Sequence, residues 1–367
     1  MVAVQDVHVG ELSAVMARRG HVVTAFTRRD EPDGPQRVED DLLQHMGVFA
    51  ERLAEQWSVE PPEVVHAHSW ISGIAAQLAA RARKIPTVQT FHGLGVIKRR
   101  YQKEPAAGLR TRLKMEKLVA RHANWVTATC SDEVNELTRM GRPRARASVV
   151  PCGVDLQKFN TEGPIAPRGE RPRIIAVGKL LPRKGFDTVI RALPLIPEAE
   201  FVVVGGPEKK QIEADPEVRR LQALAADLGV ADRVSFTGAV DRDDMPAMYR
   251  SADVVTCTPW YESFGIVALE AMACGVPVVA SAVGGMLDTV VHDVTGRLVA
   301  PDRPRECAEA VATILRDSFL RRSLGLAGRD RACARYSWDR VADDTVRIYE
   351  RLVAIGDGEQ APNKNLR

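Results

Sequence analysis

The sequence has no apolar run approaching the ~20 residues that a helix needs to cross a bilayer, so no membrane-spanning helix is expected. Its first residues, MVAVQDVHVG, lack the basic and apolar zones of a secretory leader. The expected location is therefore the cytoplasm. Cysteine is sparse: six residues (Cys130, Cys152, Cys257, Cys274, Cys307 and Cys333), with no CxxC pair and no histidine at metal-ligand spacing. In a chain of this size they read as reduced core thiols, and neither a disulfide framework nor a zinc site is expected. Aromatic residues make up only 5% of the chain. Binding single-stranded nucleic acid calls for aromatics among the cations. The most basic stretch offers only Phe91, Tyr101 and Trp125, so no nucleic-acid partner is expected. The GxSxG, GxxxxGK(S/T) and HExxH patterns are all absent, which disfavours hydrolase triads, P-loop ATPases and zincins.

What is present is globular. At 367 residues, 45% hydrophobic and 27% charged, the chain points to two domains. The net charge is only +3, yet residues 81–146 hold sixteen Lys/Arg against five Asp/Glu. Such a block suggests an anionic ligand or surface; the plainer reading is a solvated helical face. Short β-rich runs alternate with longer amphipathic segments throughout. In the first half these runs are HVVTAFT (21–27), EVVHA (63–67), TVQTF (87–91), WVTAT (125–129) and ASVVP (147–151). RIIAVG (173–178), EFVVVGG (200–206), RVSFTG (233–238), DVVTCT (253–258), PVVAS (277–281) and GRLV (296–299) repeat the scheme more clearly. Alternation of this kind predicts an α/β protein with two doubly wound parallel sheets facing across a cleft, ligands lying at the C-terminal strand ends. Residues 1–162 then form one domain, 163–172 a linker and 173–335 the second domain. A helix over 336–355 crosses back to the first domain, and 356–367 is a disordered tail.

The sharpest segment is TPWYESFGIVALEAMACGVPVVASAVGG (258–285). A helix is expected to begin near Ser263, a good N-cap residue, and to stop at Gly275. Inside its apolar run stands Glu270, a carboxylate that is costly there unless exposed or partnered. Glu262 precedes it by eight residues, so both carboxylates can look toward the helix N-terminus, where free N–H groups suit a phosphate. Gly265 lets backbone approach a ligand. The bland alternative is two surface glutamates on an ordinary βα unit. VGKLLPRKGFD (177–187) clusters Lys179, Arg183 and Lys184 at another strand end, enough cations for a diphosphate. FVVVGG adds Gly205 at a third. In the first half, His66 and His68 close one strand, where they are equally readable as buried core histidines. His92 follows another strand and precedes Gly93 and Gly95.

With YESFGIVALE, an E-x7-E pattern, followed by ACGVPVVAS, and with RRGHVVTAFTRR, VVHAHSW, TFHGLG, VVPCGVDLQKF, VGKLLPRKG and TGRLV, the chain resembles a family-4 retaining glycosyltransferase of GT-B fold over almost its whole length. The TFHGLGVIKRR stretch looks closest to the sucrose-phosphate-synthase-like and mycothiol-pathway branches. The resemblance implies transfer of a sugar from a nucleoside diphosphate sugar, UDP favoured over GDP, to an acceptor hydroxyl, with retention and without a metal. Glu262 would contact the donor sugar, and Ser263, Phe264, Gly265 and Ile266 would lie along sugar and phosphate. Glu270 would hold the ribose diol, Lys184 and Lys179 the diphosphate, and His92 would stand by the reacting centre. His68, Gly93, Lys98 and Arg112 are acceptor-side candidates. The basic block would then serve an anionic acceptor, or hold the protein peripherally on the inner face of the membrane.

Two departures from the family pattern stand out. MVAVQDVHVG begins where the family has already passed a first strand and a Gly-Gly loop, and the interval between Arg29 and a helix expected to begin near Asp40 is short, so a reduced N-terminal sheet is expected. Gly93 also replaces a hydroxyl residue of the mycothiol-pathway enzymes, so inositol phosphate is not the expected acceptor. A nucleotide-sugar epimerase of the same fold and a non-catalytic sugar-nucleotide-binding paralogue are the competing readings.

Overall fold

Strands that are apolar at every position must be covered on both faces, and successive residues of a strand point to opposite faces. The C-terminal half obeys both rules. Ile174, Ala176, Phe201, Val203, Val254 and Val279 enter one core, whereas Ile175, Val202, Val204, Val255, Val278 and Ala280 enter another. The computed structural model describes residues 4–27, 42–101 and 108–360. Its contacts divide it into two units, Cys152–Arg340 and Val2–Pro151 together with Val341–Arg367.

The N-terminal unit comprises α1 (Val4–Arg18), α2 (Met46–Val59), β1 (Val65–His68), α3 (Trp70–Arg81), β2 (Thr87–Thr90), α4 (Gly95–Tyr101), α5 (Leu109–His122), β3 (Trp125–Ala128), α6 (Ser131–Arg139) and β4 (Ala147–Val149). Its parallel sheet has the order β1-β2-β3-β4, with Val65 opposite Thr87 and Val88 opposite Trp125. The order follows the sequence, so the described strands lack the reversal of a doubly wound sheet. His21–Thr27, expected as a strand, is irregular and exposed at every residue, Val22 at 93%. The physical reason is pairing: no described strand offers it a ladder, and β propensity alone does not hold an extended segment in a sheet. Only Phe26 finds an aromatic neighbour, edge-on to Trp57 at 6.4 Å. The helix start expected near Asp40 lies outside the described residues.

The C-terminal unit comprises β5 (Arg173–Val177), α7 (Phe186–Ala192), β6 (Glu200–Val204), α8 (Pro216–Asp227), β7 (Val234–Gly238), α9 (Met245–Arg250), β8 (Val254–Cys257), α10 (Ile266–Ala273), β9 (Val278–Ser281), α11 (Met286–Thr289), β10 (Gly296–Val299), α12 (Pro304–Arg316) and α13 (Ser318–Tyr336). The strand order β10-β9-β8-β5-β6-β7 places β5, the unit's first strand, between its fourth and its second. That reversal creates a switch point at the C-terminal ends of β5 and β8, where doubly wound sheets bind ligands.

Segment 163–172, expected as a linker, is laid along the C-terminal unit. Arg168 donates to the Ser251 carbonyl (2.8 Å) and Arg250 to the Pro164 carbonyl (2.9 Å). The last helix, α14 (Trp338–Gln360), joins the N-terminal unit from Val341 onward. Tyr349 Oη lies 2.6 Å from His66 Nδ1, and the Arg351 guanidinium sits 4.8 Å from the Trp125 ring centroid. This helix runs to Gln360, five residues into the tail expected to be disordered. Residues 361–367 lie outside the described residues.

Candidate active site

At the switch point, two loops are stitched together by backbone. Thr258 Oγ1, just past β8, donates to the Gly185 carbonyl (2.8 Å), and the Trp260 N–H donates to the Arg183 carbonyl (2.9 Å). Gly185 permits this approach: its φ is +71°, and a Cβ there would stand 1.9 Å from the Thr258 carbonyl oxygen. The stitching brings Lys184 and Glu262 together, Nζ to Oε2 at 2.5 Å, with 21% and 19% of the side chains exposed. Lys179 and Arg183 are exposed on the same loop. Gly205, at the end of β6, turns its open side to the Gly178 carbonyl oxygen, which a Cβ would approach to 2.3 Å. Gly205 therefore shapes the loop from below by close packing.

The helix after β8 starts later than expected. Ile266 is its first residue and Gly265, at φ +92°, is its N-cap, so the expected cap at Ser263 is corrected. A left-handed residue cannot lie within a right-handed helix, and Gly265, two residues beyond Ser263, therefore ends the loop. Ser263 and Phe264 lie in that loop. Their carbonyls face Gly285 closely, and the Gly285 N–H donates to the Glu262 carbonyl (2.9 Å). Glu270, one turn into α10, is 4% exposed. Its Oε2 accepts from Tyr249 Oη at 2.8 Å. Arg242 Nη1 stands 3.0 Å from Oε1, near enough for an ion pair but too poorly aligned for a hydrogen bond. Burial raises the carboxyl's pKa, and Arg242 and Tyr249 pull it back. Below the loops, burial pushes the Cys257 thiol up to about 12, so this cysteine is no nucleophile.

The N-terminal unit gathers histidines. His68 Nδ1 and His92 Nε2 share a hydrogen bond of 2.9 Å, and His66 stacks on His68 at 4.3 Å between centroids. His66 also bonds Thr90 Oγ1 at 2.7 Å. His8 on α1 completes the cluster, its ring 5.1 Å from that of His92. All four have lowered pKa values, chiefly through burial: His8 at about 4, His66 at about 3, and His68 and His92 well below the usual value. They are neutral at neutral pH. Gly93 lies against Arg112, an acceptor-side candidate of the sequence reading. Arg112 is 9% exposed, its Nε 2.7 Å from Glu116 Oε1 and its Nη2 2.9 Å from the Gly93 carbonyl. Burial of the α5 face between α3 and α4 turns this guanidinium inward. Lys98 is exposed on α4. On α5 the exposed cations are Arg110, Lys114, Lys117 and Arg121, steps of four, three and four. They therefore form one stripe.

Sequence reading missed His8, Arg242, Tyr249, Glu116 and Glu133. None lies in a motif. Glu116 carried one available signal, an acidic residue amid apolar and basic neighbours on a helix; Glu133, beside Asp132, Asn135 and Glu136, carried none.

Residues 5–158 match Glycosyltransferase Family 4 and residues 158–331 match Glycosyl transferases group 1. D-inositol 3-phosphate glycosyltransferase of Mycobacteroides abscessus is 33% identical over 392 residues, covering 98% of this chain and 86% of the relative. The chain belongs to this glycosyltransferase family. The enzyme of the same name from Salinispora arenicola is 36% identical to this glycosyltransferase over 317 residues, covering 80% and 69%. Among solved structures, sucrose-phosphate synthase from Thermosynechococcus elongatus superposes with a TM-score of 0.82 at 30% identity, covering 96% of this chain and 94% of that one. Anabaena HepE, solved with UDP and glucose, shares the GT-B fold with a TM-score of 0.69 at 22% identity, covering 86% and 84%. Among the described residues of the glycosyltransferase, no group of three or more His, Cys, Asp or Glu side chains is placed to hold a metal ion. No described helix is long and apolar enough to cross a membrane.

Proposed function

We propose that this glycosyltransferase transfers a hexosyl group from a nucleoside diphosphate sugar to an acceptor hydroxyl with retention of configuration, UDP being favoured over GDP. The single observation that carries the donor reading is the Glu270 carboxylate. It is buried, held by Tyr249 through one oxygen, and its other oxygen, ion-paired with Arg242 at 3.0 Å, has no aligned hydrogen-bond donor. A ribose diol supplies what that oxygen lacks. Anabaena HepE, solved with UDP, supports uridine as the base.

Lys184 and Lys179 offset the diphosphate as it leaves, a charge-stabilising role that needs no metal. Glu262 orients the donor sugar, and the departing phosphate takes the acceptor proton at the front face. His92 belongs beside the reacting sugar, neutral and therefore able to donate or accept without net charge. Lys98, exposed on α4 together with Arg99 and Arg100, suits a phosphorylated acceptor, a class to which the names of the inositol 3-phosphate and sucrose-phosphate relatives also point. The α5 stripe, whose members face away from Arg112, holds the enzyme on the inner face of an anionic membrane in the cytoplasm, at ~1 kcal/mol per residue.

Calorimetry with UDP, GDP and their sugars tests the donor, and sedimentation with anionic and neutral liposomes tests the stripe. Nucleotide release that needs no acceptor would count against transfer, and GDP binding tighter than UDP would overturn the base assignment.

A further inference from the structure

His92 has φ +56°, a left-handed conformation that few residues other than glycine adopt, histidine more readily than most, and one retained where the surroundings over-determine it. The residues after it are gripped from two elements, α5 and α6. Glu133, in the first turn of α6, accepts the Gly93 N–H at Oε1 (3.2 Å) and the Thr129 N–H and hydroxyl at Oε2 (2.8 and 3.1 Å). Glu116, on α5, accepts the Gly95 N–H on both oxygens (3.0 and 2.8 Å). Arg112 bridges the two grips, donating to Glu116 and to the Gly93 carbonyl. Glu116 and Glu133 are 0% and 1% exposed. Burying two carboxylates beside each other is expensive, and a loop that merely needed to turn would be served by Asn or Ser at no such cost.

We propose that Glu133 and Glu116 are positioning residues for the transfer reaction, fixing the His92–Gly95 loop so that the His92 imidazole stays on His68. The inference rests on the reading of His92 as a group at the reacting centre. Its chemistry is directional. An ionised carboxylate only accepts, so both backbone N–H groups are satisfied; a protonated one turns an O–H toward an N–H and loosens the loop. The groups facing these carboxylates are Arg112 and Lys98 for Glu116, Thr129, the Gly93 amide and Glu116 for Glu133, and His8 and His68 for His92. Burial raises both carboxyl pKa values, which brings their protonation toward the working range.

The test measures kcat against pH, with both substrates saturating, for wild type, Glu133→Gln, Glu116→Gln and His92→Ala. Glu133→Gln and Glu116→Gln are expected to lose about 100-fold in kcat, the cost of a misplaced reacting group, with the donor KM unchanged. The acid limb of the wild-type profile should flatten in Glu133→Gln, which has no carboxyl to titrate. Thr129→Val removes one donor to Glu133 without removing its charge, and should move that limb to higher pH; it serves also if Glu133→Gln does not fold. Wild-type kcat and pH profile in both glutamine variants, alongside an impaired His92→Ala, overturn the positioning role. If His92→Ala is itself fully active, the reading of His92 falls instead. The position of the His92 ring, followed by its imidazole NMR signals in Glu133→Gln, then decides the inference: displaced signals uphold it and unchanged ones overturn it.

Discussion

Lys184 and Glu262 stand 78 positions apart in sequence, yet their charged atoms meet at 2.5 Å. The cation assigned to the diphosphate and the carboxylate assigned to the sugar are thus already coupled. Neither can be altered without changing the electrostatics of the other, since removing one partner leaves the second partly buried and unpaired.

Lys184→Ala is therefore expected to slow transfer by ~2–4 kcal/mol in kcat/KM. The double variant with Glu262→Ala should lose less than the sum of the single losses by ~1 kcal/mol or more, as contacting residues do. Strict additivity in steady-state kinetics would show that the pair does not act as a unit.

Glu270 and Glu262 should separate by ligand. Glu270→Ala is expected to weaken free UDP binding about tenfold or more, whereas Glu262→Ala should leave UDP binding intact and lower turnover. Tyr249→Phe, which removes only the hydroxyl on Glu270 Oε2, should cost ~1 kcal/mol of stability or of UDP affinity. Calorimetry on the three variants checks this, and equal UDP affinity in all of them would remove Glu270 from the ribose.

Acid should weaken the N-terminal unit through its histidines. The folded values of His8, about 4, and His66, about 3, lie below 6.5. The unfolded chain therefore binds more protons than the folded one from about pH 4 to 6.5. Stability is lost as pH falls through that window, by up to ~1.4 kcal/mol per pH unit per group. Glu116 and Glu133, with raised values, act in the opposite sense at its lower end. His8→Phe isolates the histidine share: its melting temperature should fall less between pH 7 and pH 5 than that of wild type. An equal fall would show that His8 does not titrate on unfolding.

Gly185→Ala should be among the most damaging single-methyl changes in the chain. It adds a Cβ 1.9 Å from the Thr258 carbonyl oxygen at a φ of +71°, and so must part the loops that join Lys184 to Glu262. A loss above ~2 kcal/mol in denaturant unfolding is expected. A variant as stable as wild type would mean that the Thr258 loop yields freely.

The strands of the C-terminal unit were legible because most carry their own signal, a Val/Ile-rich run bounded on one side by Gly or Pro. Ile174 and Ile175 look alike in sequence and fall on opposite faces simply because a strand alternates. HVVTAFT carries the same signal and forms no strand, since pairing depends on a neighbour that the run itself cannot specify. Ser263 looked like the start of a helix, but Gly265 sets the boundary through its backbone conformation. Lys184, Glu262 and Glu270 were readable as chemistry that an apolar segment does not require. Tyr249 and Arg242, which hold Glu270, were not, because tyrosine and arginine are ordinary in their local sequence and gain meaning only through the fold. Arg112 was misjudged for the same reason: its charge was visible, but its partner Glu116 and its inward direction were not.

The helix Trp338–Gln360 completes a unit whose other residues come from the beginning of the chain. During synthesis, therefore, the two halves do not mature in the order in which they are made. Residues Cys152–Arg340 are contiguous, and all of them leave the ribosome before Tyr349 can reach His66 or Arg351 can cover Trp125. A nascent chain can finish its switch-point half while the half bearing His92 still waits for its last helix.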